Sequence, residues 1–266
     1  MASKSTLAQR ISMKMKICLV GEPAVGKTSL VRRFVFNTFD PKYFSTIGTN
    51  IWKKKLQLSH PLNNDTLDVD MIIWDIMGQK QFRDLLRDAY FFGAKGVIVV
   101  CDSSRRETFD KLVHWVDAVT EITGEIPKYL IVNKVDLGSV SFEEKEMKKM
   151  AKTYDCPYQM TSAKTGEFVE EIFSNLATRI IQKRFDDAQA GLDEAEKELE
   201  SSPEDIDSLY IKGESLVILE RFDEAIAVLH EVTRLDTDYP DVWGLKAEVF
   251  SKLGDEKMSA LCSARA

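Results

Sequence analysis

Between residues 16 and 179, short apolar runs alternate with amphipathic stretches of helical period. The runs are KICLV, MIIWD, GVIVVCD and YLIVNK; the helical stretches cover 27–37, 82–92, 107–123 and 142–154, with a last one starting at Glu167. Strands that alternate with helices pair in parallel and are covered on both faces. The pattern predicts an α/β domain built on a doubly wound, mostly parallel six-stranded sheet, with ligands bound beyond the carboxyl ends of the strands. From Arg184 only helical periodicity remains, near 186–199, 205–219, 223–235, 240–253 and 256–266, with breaks at SSPED and DTDYP. That second region predicts an all-α domain of helical hairpins.

The apolar runs are too short for a membrane span, the longest being residues 96–101. The first residues are basic and lack an amphipathic run, so 1–13 reads as a flexible lead-in and not a transit peptide. Ala2 and the final SARA offer neither a myristoylation site nor a prenylation box, so no direct lipid anchor is expected. Cys18, Cys101, Cys156 and Cys262 form no CxxC pair and read as reduced packing residues of a cytoplasmic protein. The net charge of −7 is unevenly divided: residues 184–266 hold 9 basic and 21 acidic side chains, the first 183 hold 27 and 22. Two domains of opposite sign follow, and nothing in either suggests nucleic acid as a partner.

After the first apolar run stands GEPAVGKT, residues 21–28, which fits GxxxxGK[ST] between a strand and a helix. In such a loop the backbone N–H groups of Glu22, Ala24, Val25, Gly26, Lys27, Thr28 and Ser29 are placed to wrap phosphates, with Pro23 in the same loop contributing no N–H. The Lys27 ammonium then meets the β and γ phosphates, and the Thr28 hydroxyl joins a magnesium shell. The base is chosen elsewhere. NKVD, residues 133–136, follows the run YLIV, and a carboxylate at Asp136 can accept two hydrogen bonds from guanine N1–H and its amino group. Adenine offers no such pair and would leave a buried charge unpaired. TSAKTG, residues 161–166, can lend backbone N–H groups of Ser162, Ala163 and Lys164 to guanine O6.

Taken together, GEPAVGKT, Thr46 in FSTIG, WDIMGQ, NKVD and TSAKTG resemble the Ras superfamily of small GTPases in order and spacing, over about residues 14–181. TIG, WDIMGQKQF and AYFFGAKGVIVVCD look most like Rab proteins. The resemblance implies roles for single residues. Thr46 would coordinate magnesium and donate its N–H to the γ-phosphate, Asp75 would hold the metal through water, and Gly78 N–H would sense the γ-phosphate. Gln79 would orient the attacking water, Phe39 would cover the edge of the base, and Lys134, after Asn133, would lie along its face. Lys27, Thr46, Gly78 and Gln79 form the expected catalytic set, and Mg2+ with GTP or GDP the expected ligands. Trp74 and Tyr90 match two members of an aromatic surface triad by which Rab proteins present their state to partners; Ile51 stands where the third, a phenylalanine, is expected. An ordinary core role is the alternative for these three, strongest for Ile51.

Departures from the family pattern matter. Pro23 and Ala24 occupy the middle of the phosphate loop, where proline removes an N–H and fixes φ, and where an activating protein's arginine would pass. Met77 replaces a small residue beside Gly78, and Lys80 an acid beside Gln79. SHPLNND, residues 59–65, is an extra turn in which His60 reads as solvated. No arginine lies within 38–49 to act in cis, so hydrolysis is expected to be slow, on the order of 10⁻⁴ to 10⁻² per second.

The helical region repeats itself. RFDDAQAGL, from Arg184, returns 37 residues later as RFDEAIAVL, and Leu209, Gly213, Leu216 and Ala225 recur 34 residues on as Trp243, Ala247, Phe250 and Ser259. That spacing resembles tetratricopeptide repeats, although Lys212 and Lys246 stand at positions usually leucine. Five helices leave the first without a partner, and the helix carrying Val169, Ile172, Phe173, Leu176 and Ile180 directly precedes it. This helix is expected to end one domain and begin the first repeat; a long helix leading into a coiled coil is the alternative, since no Gly or Pro lies between Glu167 and Gly191. The domains are then 14–183, a small GTPase domain, and 184–266, a repeat domain. The expected function is a GTP-hydrolysing switch, with effectors and regulators meeting its switch regions and its acidic repeats, and with any membrane association made through partners. The alternative is a scaffold stabilised by bound nucleotide without relevant turnover.

Overall fold

Six strands form one sheet in the order β2-β3-β1-β4-β5-β6. They are β1 (Ser12–Val20), β2 (Thr49–Ser59), β3 (Thr66–Ile76), β4 (Gly96–Asp102), β5 (Lys128–Asn133) and β6 (Tyr158–Met160). The helices between and after them are α1 (Lys27–Phe36), α2 (Arg106–Asp110), α3 (Leu112–Thr123), α4 (Glu144–Thr153) and α5 (Val169–Ser201). The structure is a computed structural model that describes residues 12–41, 48–63, 65–77 and 88–266. Every strand pair is parallel except β2 with β3. The described residues divide into two units, one ending at Ile180 and the other running from Ile181 to Ala266.

Sequence pattern accounts for the position of each strand. β4 and β5 are buried at every residue, as uninterrupted apolar runs covered on both faces must be. β2 lies at the edge and alternates, with Ile51, Lys53, Lys55 and Gln57 exposed and Leu56 buried. Beneath β4, Val97 and Val99 pack with Leu112, Trp115, Val116 and Val119 of α3. On α1, Phe34 stacks on Phe173 of α5, ring centroids 4.0 Å apart. All four cysteines are buried and unpaired with one another. Burial pushes the Cys18 thiol up to about 12 and Cys156 to about 11, which keeps both protonated and inert.

Three local expectations change. The stretch 107–123 is two helices, α2 and α3, meeting at Lys111. α4 begins at Glu144 and not at Phe142, because Glu143 and Glu146 form a reciprocal capping box that sets the start. His60 is not solvated: it is 5% exposed. Its backbone N–H donates to Asp65 O at 3.0 Å and its Nδ1 accepts from the Leu62 N–H at 3.2 Å, so the ring closes the β2–β3 turn from inside. Most of the stretch 82–92 lies outside the described residues.

In the second unit α5 contributes its later turns, followed by α6 (Ile206–Ile218), α7 (Phe222–Leu235), α8 (Val242–Lys252) and α9 (Glu256–Ser263). A separate helix over 186–199 does not exist; α5 runs unbroken for 33 residues. Nothing interrupts it, and i,i+4 pairs support the stretch: Gln182 to Asp186 at 2.9 Å, Lys183 to Asp187 at 2.9 Å and Gln189 to Asp193 at 2.7 Å. α6 and α7 approach closely at Gly213, where an added Cβ would lie 2.7 Å from Leu229 Cδ2. In the next hairpin the Ser259 hydroxyl donates to Ala247 O at 2.8 Å. Small residues thus stand where the helices cross. The two unusual lysines are both accommodated: Lys212 pairs with Glu196 at 2.9 Å, while Lys246, 3% exposed, donates to Thr233 Oγ1 at 3.0 Å beside the Trp243 ring.

Candidate functional site

The phosphate loop joins β1 to α1 at the carboxyl edge of the sheet, where the α/β pattern places ligands. Gly26, with φ +99°, must be glycine: an added Cβ would lie 2.3 Å from Asn133 Nδ2. Lys27 is 7% exposed, and its Nζ donates to the carbonyls of Gly21 at 2.7 Å and Glu22 at 3.0 Å. Burial pushes its ammonium down to about 8, partly offset by the charges of Asp75 and Glu22. The Glu22 carboxylate faces α3, accepting from Trp115 Nε1 at 3.2 Å and from Lys111 at 2.8 Å, so only the Glu22 backbone serves the loop.

Asp75, on β3 beside Leu19 of β1 and Asn50 of β2, is wholly buried. Its Oδ2 accepts from the Thr28 hydroxyl at 2.6 Å, while its buried Oδ1 has no hydrogen-bond partner. Burial holds the carboxyl above the usual range against the pull of Thr28, Lys27 and the nearby Asn50 side chain, which makes no hydrogen bond to Oδ1. A buried carboxylate oxygen without a donor, next to a hydroxyl, suits a hard divalent cation with oxygen ligands. Thr28 and Asp75 therefore fit a magnesium site, though the third expected ligand, Thr46, lies outside the described residues. Among the described residues no three His, Cys, Asp or Glu side chains gather to make an all-protein metal site.

The base motifs meet the phosphate loop through Asn133. Its Nδ2 donates to Val25 O at 2.8 Å and its Oδ1 accepts from the Ala163 N–H at 3.0 Å. Lys134 Nζ reaches Ala24 O at 2.6 Å and Asp102 Oδ2 at 2.8 Å. Asp136 is held by the Ser162 hydroxyl at 2.6 Å, with Lys164 Nζ 3.7 Å from its other oxygen. From α1, Arg33 donates to the carbonyls of Ala163 at 3.0 Å and Lys164 at 2.7 Å; with the Ala163 N–H held by Asn133, the Ser162 and Lys164 N–H groups are the ones left to meet a ligand. Ser29 is half-buried in the first turn of α1, and Phe39 half-buried beyond its end.

Thr46, Gly78, Gln79 and Lys80 lie outside the described residues. Met77, next to them, is buried. Trp74 and Tyr90 are partly buried against the core, and Lys16 Nζ sits 3.9 Å from the Trp74 ring centroid. Ile51 pairs across the strands with Trp74 but is 57% exposed, so it is not a core residue. Four further side chains support the loops of the site: Arg33, Trp115, Asp102 and Arg105, whose guanidinium donates to Pro23 O at 2.8 Å. Asp102 and Arg105 carried a usable signal, since charged residues at the carboxyl end of a central parallel strand lie on the ligand edge.

The model of the Ras family matches residues 16–182. The chain is 38% identical over 170 residues to "Ras-related protein Rab-18" of Caenorhabditis briggsae, covering 63% of this chain and 81% of the relative. It is likewise 38% identical over 170 residues to "Ras-related protein Rab-18" of Caenorhabditis elegans, 63% and 80%, and 36% identical over 170 residues to "Ras-related protein Rab-18-B" of Danio rerio, again 63% and 80%. The family match ends at residue 182, and most of α5's second half and α6 to α9 lie beyond it.

Proposed function

The chain belongs to the Ras family, as a Rab-like member that binds guanine nucleotide as a switch, and we propose that it hydrolyses GTP slowly with magnesium while its helical repeats recruit protein partners. One observation carries the nucleotide reading: Asn133 joins the phosphate loop at Val25 to the base loop at Ala163, so the phosphate and guanine half-sites form one cradle. Guanine N1–H and its amino group are taken by Asp136, itself oriented by Ser162. The exocyclic O6 is met by the N–H groups of Ser162 and Lys164, and by that of Ala163 where it is shared with Asn133. Phosphates lie over the loop from Glu22 to Ser29, where their charge holds Lys27 protonated.

The Thr28 hydroxyl, Thr46 and, through water, Asp75 would hold magnesium, and the ion when bound would neutralise charge on the phosphates. Gln79 positions the attacking water, and Gly78 and Thr46 sense the γ-phosphate. Pro23 narrows the route by which a partner's arginine would reach the phosphates, which disfavours external activation, and the lack of an arginine within 38–49 to act in cis favours slow intrinsic turnover. Trp74, Tyr90 and exposed Ile51 offer partners a surface next to the switch segments.

The hairpins α6–α7 and α8–α9 support a tetratricopeptide-like reading, because Gly213 and Ala247 take equivalent places at the helix crossings. The repeats, net acidic, suit basic protein surfaces. No helix among the described residues is long and apolar enough to cross a membrane. The test is single-turnover GTP hydrolysis of the purified protein against Gln79→Leu, with partner capture in GDP- and GTP-loaded states with and without residues 184–266. Slow turnover that falls further in Gln79→Leu, with state-dependent capture, is the expected result. Equal rates in both proteins and capture indifferent to nucleotide would favour the scaffold alternative.

A further inference from the structure

At the carboxyl end of β4, Asp102 is 2% exposed and gathers two cations. Its Oδ2 accepts from Lys134 Nζ at 2.8 Å and from Arg105 Nε at 3.1 Å, while its Oδ1 accepts from Ser104 N at 3.0 Å and Ser104 Oγ at 2.7 Å. Each cation then reaches one carbonyl of the phosphate loop: Arg105 Nη2 to Pro23 O at 2.8 Å, and Lys134 Nζ to Ala24 O at 2.6 Å. Arg105 also approaches Glu107 at 3.7 Å. Two consecutive carbonyls of the loop are therefore drawn toward one buried carboxylate.

No described peptide bond is cis, and in a planar trans peptide the N–H points opposite the C=O. Drawing Pro23 O and Ala24 O toward Asp102 turns the N–H groups of Ala24 and Val25 to the opposite side, the side on which a phosphate is bound. This orientation matters more here than in a loop with a full set of donors, because Pro23 supplies none. Ala24 also holds φ at +63°, a conformation that alanine adopts at a cost and that an outside contact must sustain.

Resting on the guanine-nucleotide reading of this site, we propose that Arg105 is a positioning residue: anchored by Asp102, it clamps the Pro23 carbonyl and presents the Ala24 N–H to the nucleotide's phosphate. Lys134 does the same for the next peptide, but it also lies beside the base, so Arg105 is the residue through which the clamp can be tested alone. Its guanidinium suits the task because the planar fork bonds the carboxylate and the carbonyl at once, which a lysine ammonium on a flexible stem holds less firmly.

The experiment measures release of a fluorescent GDP analogue, with and without EDTA, from the full chain, from Arg105→Met, from Pro23→Gly and from the double variant. Arg105 is partly exposed, so Arg105→Met keeps the fold, and its thermal midpoint is recorded alongside. Release is expected to be about tenfold faster in Arg105→Met, the loss of one charge-assisted hydrogen bond. The difference should persist at about 0.5 M salt, where a through-space attraction between Arg105 and the phosphates is screened. It should shrink in the Pro23→Gly background, where residue 23 regains an N–H donor and the loop depends less on the Ala24 N–H. Parental release from Arg105→Met, a difference that salt abolishes, or the same factor in both Pro23 backgrounds would each overturn the clamp. A parent chain that fails to retain the analogue would instead overturn the nucleotide reading.

Discussion

Asn133 Nδ2 lies 2.8 Å from the Val25 carbonyl oxygen, so the first residue of the base motif also holds the phosphate loop in place. The two motifs stand 108 positions apart in the chain and meet only because β5 and β1 end on the same edge of one sheet. Ala163, on the third loop, completes the junction by donating its N–H to Asn133 Oδ1.

Disturbing this junction should affect nucleotide retention more than any single contact to the base. In Asn133→Leu the Val25 carbonyl and the Ala163 N–H lose their partner, a loss of about 1–3 kcal/mol for each buried group. Gly26→Ala attacks the same point from the other side, by steric overlap with Asn133 Nδ2 and by strain at φ +99°. Both variants should release GDP faster than the parent in a displacement assay, and Gly26→Ala should fail to retain it at all.

Guanine selectivity should pass through Asp136. Asp136→Asn exchanges an acceptor for a donor and should move preference from GTP toward xanthosine triphosphate, read as competition for a fluorescent guanine nucleotide. Unchanged GTP selectivity in this variant would count against the base site.

Lys27 makes binding depend on pH. Its ammonium sits at about 8 in the nucleotide-free protein, and phosphate charge restores the protonated form on binding. Above that pH, binding must take up a proton, so GDP affinity should fall as pH rises past about 8. Calorimetry at pH 8.5 in buffers of different ionisation enthalpy should register net proton uptake. Zero uptake would show that Lys27 remains charged throughout.

Asp75 has the opposite consequence, for stability. Its folded-state carboxyl is raised above the ordinary 3.8, so the folded chain holds that proton more tightly than the unfolded chain does. The resulting stabilisation is complete below the ordinary value and is lost as pH rises through the raised one. At neutral pH the nucleotide-free, magnesium-free Asp75→Asn protein should therefore be more stable than the parent, by about 1–3 kcal/mol. Thermal unfolding compared from acid to neutral pH should show that advantage growing with pH, while magnesium-dependent retention of GDP drops.

In the second unit the helix crossing at Gly213 is the sensitive point. Gly213→Ala improves helix propensity by about 1 kcal/mol but forces its methyl against Leu229, and overpacking of this kind costs about 1–3 kcal/mol. The net change should be destabilising in the parent and should reverse in a Leu229→Ala background, a sign change that denaturant unfolding would detect.

The sequence by itself determined what is local or contiguous. The phosphate loop, NKVD and TSAKTG are short segments whose chemistry is written in consecutive residues, and the apolar runs of β4 and β5 could only be strands buried on both faces. The repeat spacing makes Gly213 and Ala247 equivalent positions, both small, as suits places where two helices approach closely. Tertiary structure decided what depends on residues far apart in the chain. The Glu22 carboxylate turns out of the phosphate loop because Trp115 of α3 and Lys111, which precedes it, take its oxygens, and His60 is buried because the β2–β3 turn folds around its ring. Asp102 binds two cations whose targets lie some 80 and 110 positions from them, a relation no periodicity encodes. Hydrogen bonds form between groups brought together in space, and the order of strands in the sheet, not their order in the chain, sets which groups those are.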